Sequence, residues 1–271
     1  MKKIIIIFAF IFIIPVFFNS CDEFFNTTGL SEEDIVKGLK TALEIGSDSS
    51  CTTLNKEDGY YKSQILKILL PPEADPILES LDVLDGTLLG QTVKQELESQ
   101  IEDVVLGINR AAEDAAKDAK PIFVDAITNM TVIEGLKILQ GTNFKDSTTL
   151  DFDSTAATNY LDLKTRIGLT NTFSPVINAS LDKDLGLGFS ANTAWENLVA
   201  YYNAFAHPIL YNIDNTELPI PEDITLGEHA TLKALDGLFY LVGNEERKIR
   251  KDPYQWANDI IQQVFGSVYE E

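Results

Sequence analysis

The stretch from Gln91 to Ala119, QTVKQELESQIEDVVLGINRAAEDAAKDA, decides the fold. Val93, Leu97, Ile101, Val104, Val105 and Ile108 stay on one face at about 100° per residue, and Ala112, Ala115, Ala116 and Ala119 prolong the same stripe. The pattern predicts a long amphipathic helix. Its second half offers only small side chains, so a neighbouring helix can approach closely. Pro121 lacks the N–H that a helix interior needs and should kink the rod before Ile122 to Met130 continue it.

Working outward, Ser31 followed by Asp34 reads as a helix cap, and Ile35, Leu39 and Leu43 repeat at four-residue spacing, which predicts a first helix to about Leu54. Asn55 to Gly59 is a turn, and the apolar run Ile65 to Leu70, stopped by Pro71 and Pro72, is a short strand or an extended buried segment. Downstream, Thr131 caps a short helix through Leu139 that Gly141 ends. Asn143 to Ser154 is a polar surface loop, and Thr155 to Leu185 is helical with a break near Pro175. Asn192 to Phe205 gives an aromatic-rich amphipathic helix, whereas Ile209 to Ile224, with Pro219 and Pro221, reads as irregular. Leu235, Leu238, Phe239 and Val242 mark a helix from Leu226 onward, and Asp252 should cap a last one, with Pro253 at its first position and Gly266 beyond its end. With no internal repeat and no dividing linker, the expectation is an all-α, single-domain bundle of about eight helices over residues 31–271.

The amino terminus reads differently. Lys2 and Lys3 precede the apolar run Ile4 to Phe18, too short for a permanent span and right for the core of a signal peptide over residues 1–20. The run ends in Phe18-Asn19-Ser20-Cys21, which resembles a bacterial lipobox, so Cys21 is the expected lipid attachment point and residues 21–30 the tether. Localisation would then be the cell envelope, with the domain outside the cytoplasm and the membrane as a partner through acylated Cys21. Asp22 and Glu23 do not decide the leaflet.

The chain carries 21 basic and 42 acidic residues, a net charge of −21. Removal of residues 1–20 takes away two lysines and no carboxylate, leaving 19 against 42, or −23. Nucleic acid, which needs clustered Lys and Arg, is excluded as a partner on this charge, and an anionic bilayer would repel the domain. With Cys21 acylated, Cys51 is the one remaining thiol, and no disulfide within the chain can form.

Several strings carry a resemblance: G-L-K-T-A-L (Gly38 to Leu43), D-G-Y (Asp58 to Tyr60), N-R-A-A-E (Asn109 to Glu113), I-L-Q-G (Ile138 to Gly141), A-L-D-G-L-F (Ala234 to Phe239), E-E-R-K-I-R (Glu245 to Arg250) and V-F-G (Val264 to Gly266). Together with Met130-Thr131 they resemble, in order, domain-of-unknown-function family 4197. The resemblance implies an exported bacterial helical domain, often a lipoprotein, without an assigned activity. The loop from Asn143 to Ser154 is longer than the family's pattern.

Candidate functional residues are few. Glu246 and Arg250 lie within about 60° of the stripe set by Leu235, Phe239 and Val242, in the favourable order for a helical pair, and are either a structural ion pair or an arginine presented to an anionic ligand. Asn109 and Glu113 flank the apolar face of their helix, and Arg110 points away from it within reach of Glu113 and Asp114. These residues form either a polar network or one wall of a cleft shared with Glu246 and Arg250.

Templates for catalysis do not fit. Gly186, Gly188 and Ala191 match G-x-G-x-x-A without a preceding strand, and His207 and His229 have no metal-ligand spacing. Asp146, Asp151 and Asp153 lack the spacing and glycine of a calcium loop. No cofactor and no metal is therefore expected. The reading is a non-catalytic binding or scaffolding domain holding an envelope protein or apolar ligand in a groove between helices or at Trp195, Tyr201, Tyr202 and Phe205. Its alternative is an envelope enzyme acting on glycan or lipid through acidic residues. Oligomeric state is not legible.

Overall fold

Local signals set the helix ends. In the computed structural model, which describes residues 30–266 apart from positions 87, 147, 150, 185, 215–218 and 222–223, α1 (Glu32–Leu54) starts where Ser31 Oγ accepts the Asp34 N–H. Glu32, Glu33 and Asp34 place negative charge at the positive end of its dipole. The expected signal peptide, Cys21 and the tether up to residue 29 lie outside the described residues.

Next comes α2 (Asp75–Leu84), not foreseen from the sequence although Pro76 in its first turn is a start signal. The long rod α3 (Leu88–Ala115) passes through a 3-10 turn at Ala116–Ala119 into α4 (Lys120–Thr128), so the chain changes helical geometry just before Pro121. A complete capping box between Thr131 and Glu134 opens α5 (Val132–Leu139). The remaining rods are α6 (Ala156–Leu181), α7 (Ala191–Tyr201) with α8 (His207–Asp214), α9 (Gly227–Lys251) and α10 (Asp259–Gly266). With α3 joined to α4 and α7 to α8, the helices make eight rods in one domain, and no strand occurs among the described residues.

Packing follows the apolar stripes. α9 lies between α1 and α6; α6 also meets α3, and α3 carries α7. α4, α5 and α10 close around α1. The alanine half of the long helix behaves as its sequence predicts, with Ala111, Ala112, Ala115, Ala116 and Ala119 fully buried. Gly107 marks the closest approach, since a Cβ there would stand 2.7 Å from the Ala191 Cβ at the start of α7.

Three local expectations change, and a fourth resolves between its two readings. α6 runs unbroken through Pro175 and ends at Leu181, because Pro175 and Asn171 are on the exposed side, where the carbonyl that loses its N–H partner can face water, while Phe173, Ile177 and Leu181 stay anchored in the core. The aromatic helix does not stop at Phe205: a π turn at Tyr202–Ala206 accommodates Pro208, and α8 continues to Asp214. Asp252 makes no side-chain cap; after a 3-10 turn at Pro253–Gln255, Asn258 Oδ1 accepts the Ile260 and Ile261 N–H groups, and Gly266 is the last residue of α10 and does not follow it. Ile65 to Leu70 forms no strand. It keeps a strand's alternation, with Leu66, Ile68 and Leu70 buried and Ile65 and Leu69 exposed.

Candidate functional site

The three polar residues of N-R-A-A-E, on α3, grip irregular chain: Asn109 holds Ile68, and Arg110 and Glu113 hold the turn from Asp58 to Tyr61. Asn109, fully buried, reads Ile68 as a neighbouring strand would: its Oδ1 accepts the Ile68 N–H at 2.9 Å and its Nδ2 donates to the Ile68 carbonyl at 2.8 Å. Glu113 Oε1 accepts the N–H groups of Tyr60 and Tyr61, at 3.1 and 3.2 Å. Arg110 donates to Glu113 Oε2 at 2.6 Å and to Asp58 Oδ1 at 2.9 Å. Asp114 is engaged elsewhere, with Lys117 and Ser180.

The D-G-Y turn thus fixed includes Asp58 at φ 67°, a left-handed backbone unusual for a residue other than glycine. Lys62 first, then Arg110, hold the Asp58 carboxyl below its ordinary range. Tyr60 is fully buried, and its hydroxyl donates to the Ala234 carbonyl on α9 at 2.7 Å. Its ring occupies the place where Gly237 would carry a Cβ, 2.8 Å from Tyr60 Cε1. Three of the strings picked out in the sequence therefore interlock, tying the chain from Asp58 to Leu70 between α3 and α9.

Glu246 and Arg250 make a second, separate network. Glu246 is 6% exposed and Arg250 3%. The Glu246 carboxylate accepts the N–H groups of Ala157 and Thr158 and the Thr158 hydroxyl, at 2.7 to 3.0 Å, so it caps α6 from another helix. Arg250 Nε donates to Glu246 Oε1 at 2.9 Å, and its guanidinium reaches the carbonyls of Ile138 at 2.8 Å and Leu139 at the end of α5. The anion meets a helix N-terminus and the cation a helix C-terminus, the arrangement both dipoles favour. Along α9 this pair starts twelve residues beyond Ala234, about 18 Å at the helical rise. The structure does not bring it together with Asn109, Arg110 and Glu113.

The interlock leaves an open cleft of about 530 Å³ between the chain from Ile65 to Leu70 and α9. Lys67, His229, Lys233, Asp236 and Tyr240 line it; the sequence drew attention only to His229, as a histidine without metal-ligand spacing, and to Asp236, inside A-L-D-G-L-F. His229 Nε2 meets the Leu69 carbonyl at 2.9 Å, and the Lys67 ammonium lies 4.3 Å from the centre of the Tyr61 ring. Leu69, 64% exposed, has no partner for its N–H among the described residues. The signal available in the sequence was the apolar run itself, whose alternate members cannot all face one core.

Other candidates are occupied by their own chain. The N–H groups of Gly186, Leu187 and Gly188 all donate to Asp184 Oδ1, which fills the nest that a phosphate would need and, with burial opposing, lowers the Asp184 carboxyl. Asp146 and Asp153 accept from Thr148 and Thr155 in local turns. No group of three or more His, Cys, Asp or Glu that could hold a metal occurs among the described residues. Cys51 is buried in the core, and burial above all, then Asp48, pushes its thiol up to about 12. Trp195 and Tyr202 are core residues, while Tyr201 and Phe205 reach the surface.

Comparison with known proteins adds the family but no activity. No curated protein and no solved structure matches the chain. A family described as a protein of unknown function (DUF4197) matches residues 29–266. Of the strings that resemble it, D-G-Y, N-R-A-A-E and A-L-D-G-L-F interlock the Asp58–Leu70 chain, α3 and α9, I-L-Q-G and E-E-R-K-I-R meet at the ends of α5 and α6, and the chain belongs to the DUF4197 family.

Proposed function

We propose that this chain is a non-catalytic binding module of the cell envelope, held to a membrane through acylated Cys21, with its seat in the cleft between Ile65–Leu70 and α9. One observation carries the reading: the buried polar side chains of the family strings hold an irregular segment open beside a helix, leaving apolar side chains and an unpaired N–H at the rim of a 530 Å³ cleft. Such a seat suits an extended apolar segment of a protein partner, which can pair with the Leu69 N–H and cover Ile65 and Leu69. Support for the anchor is the run from Lys2 to Cys21. Among the described residues no helix is long and apolar enough to cross a membrane.

The test is site-specific photocrosslinking in cells, with the crosslinking residue placed at Tyr240 in the cleft or at the exposed Ile133 on α5, a helix that contributes nothing to the cleft. A defined adduct from Tyr240 alone, lost on Leu69→Asp, is expected; equal labelling from both positions, or none, overturns the assignment of the seat. Metabolic labelling with a fatty-acid analogue, in the wild type and Cys21→Ser, tests the anchor independently. Label retained in Cys21→Ser would refute it.

A further inference from the structure

A second groove, of about 550 Å³, runs between α3 and α7 and shares no lining residue with the cleft described above. One wall is acidic, with Glu96, Gln100 and Asp103 from α3; the other carries Asn197, Tyr201 and Phe205. No lysine or arginine lines it. The π turn that begins at Tyr202 turns Phe205 outward, 54% exposed, and its ring lies 4.8 Å from that of Tyr201, tilted by 40°. Two ring faces at the surface of a highly charged protein need a reason, and π turns recur at functional sites.

The acidic wall is incomplete as it stands. Gln100 Nε2 donates to Glu96 Oε1 at 2.8 Å, and Gln100 Oε1, without accessible surface, has no hydrogen-bond partner. Asp103 makes no hydrogen bond or ion pair among the described residues. Burial first, then the charges of Glu102 and Glu96, raise its carboxyl above the ordinary range. A half-buried carboxylate without a donor, across the groove from two aromatic faces, calls for a positive charge with N–H groups.

We propose that the α3–α7 groove binds a small organic cation bearing primary ammonium groups, whose N–H donors meet Asp103 and Glu96 and whose charge lies against Tyr201 and Phe205. The ring faces favour a weakly hydrated organic cation over a divalent metal ion, which would demand six or more oxygen ligands. The groove's volume lies in the range of small-molecule sites.

Isothermal titration calorimetry of the full-length protein in detergent, with spermidine as the probe and at fixed ionic strength, tests this. Saturable binding is expected, weakened about tenfold or more by Asp103→Asn and by Phe205→Ala. Glu33→Gln, which removes the same charge far from the groove, should leave it unchanged. Tetramethylammonium, which has no N–H donor, should bind at least about tenfold more weakly than spermidine. Both groove substitutions are at surface-reaching side chains, and unchanged thermal unfolding identifies a correctly folded variant. Absence of saturable binding, displacement by magnesium at equal charge, or equal loss in Glu33→Gln and Asp103→Asn would overturn the proposal, since each marks only the general attraction of cations to a chain of charge −21.

Discussion

Arg250 meets a buried carboxylate and two helix-terminal carbonyls at once, so its removal leaves the Glu246 charge buried without its counter-ion, even though Ala157 and Thr158 still donate to it. Breaking a buried ion pair from one side costs about 3 to 5 kcal/mol, and Arg250→Ala should fall in that range in urea unfolding at neutral pH. Arg250→Lys should recover only part of it, because an ammonium cannot span the carboxylate and the α5 carbonyls with a planar fork. A near-wild-type midpoint for Arg250→Ala would show that the pair does not hold the fold. Glu134 offers a pH-dependent test. Although burial raises its carboxyl, the Thr131 N–H and then Lys164 outweigh that and bring it down to about 2 from 4.5. A carboxyl depressed in the folded state contributes stability that is present above its unfolded value and is lost as pH falls toward its folded one. Glu134→Gln should therefore destabilise at pH 7 and converge with the wild type between pH 4.5 and 2, read as urea midpoints across that window.

At the scale of elements, Gly237 fixes how closely α9 can pass the D-G-Y turn. A Cβ there must displace the Tyr60 ring, which is fully buried and tied by its hydroxyl to Ala234, so Gly237→Ala should cost about 1 to 3 kcal/mol despite the higher helix propensity of alanine. Paired unfolding curves with Gly237→Ala in wild-type and Tyr60→Phe backgrounds would separate the clash from the hydroxyl's hydrogen bond. The elements legible in the sequence were those whose signals are local: the stripe from Val93 to Ala119, the Ser31 and Thr131 caps, and the repeat from Leu235 to Val242. Pro175 misled because its effect depends on whether the carbonyl left without a partner meets water, which is a tertiary fact. The spacing of Glu246 and Arg250 was legible, but not that the pair closes the ends of two other helices. The cleft was hidden for the same reason: its wall is irregular chain held by Asn109, forty-one positions from Ile68.

For the whole molecule, one continuous hydrophobic core joins residues from α1 to α10, which predicts a single cooperative unfolding transition. Cys51 reports on it, since its thiol is buried and pushed up to about 12. Labelling by a thiol reagent should be negligible in the native state and should rise with urea in step with the loss of helical circular dichroism. Labelling that precedes the helical transition would reveal that α1 detaches first. The net charge of −21 should make the protein more stable as ionic strength rises, because salt screens self-repulsion. The double closure by Glu246 and Arg250 has a further consequence, for how this chain can change length. Both stems of the connection between α5 and α6 are fastened to α9, the Asp153 N–H bonds Gly141 at 2.8 Å and Phe144 packs on Tyr160, so the part of this lobe that the core does not sense lies at the exposed residues beyond Phe144, such as Thr148. Added residues there cost only loop-closure entropy, about 0.6 kcal/mol per doubling. A short epitope inserted after Thr148 should be carried with little change in unfolding midpoint, which makes this lobe the natural point at which relatives can diverge in length and a practical place for a label.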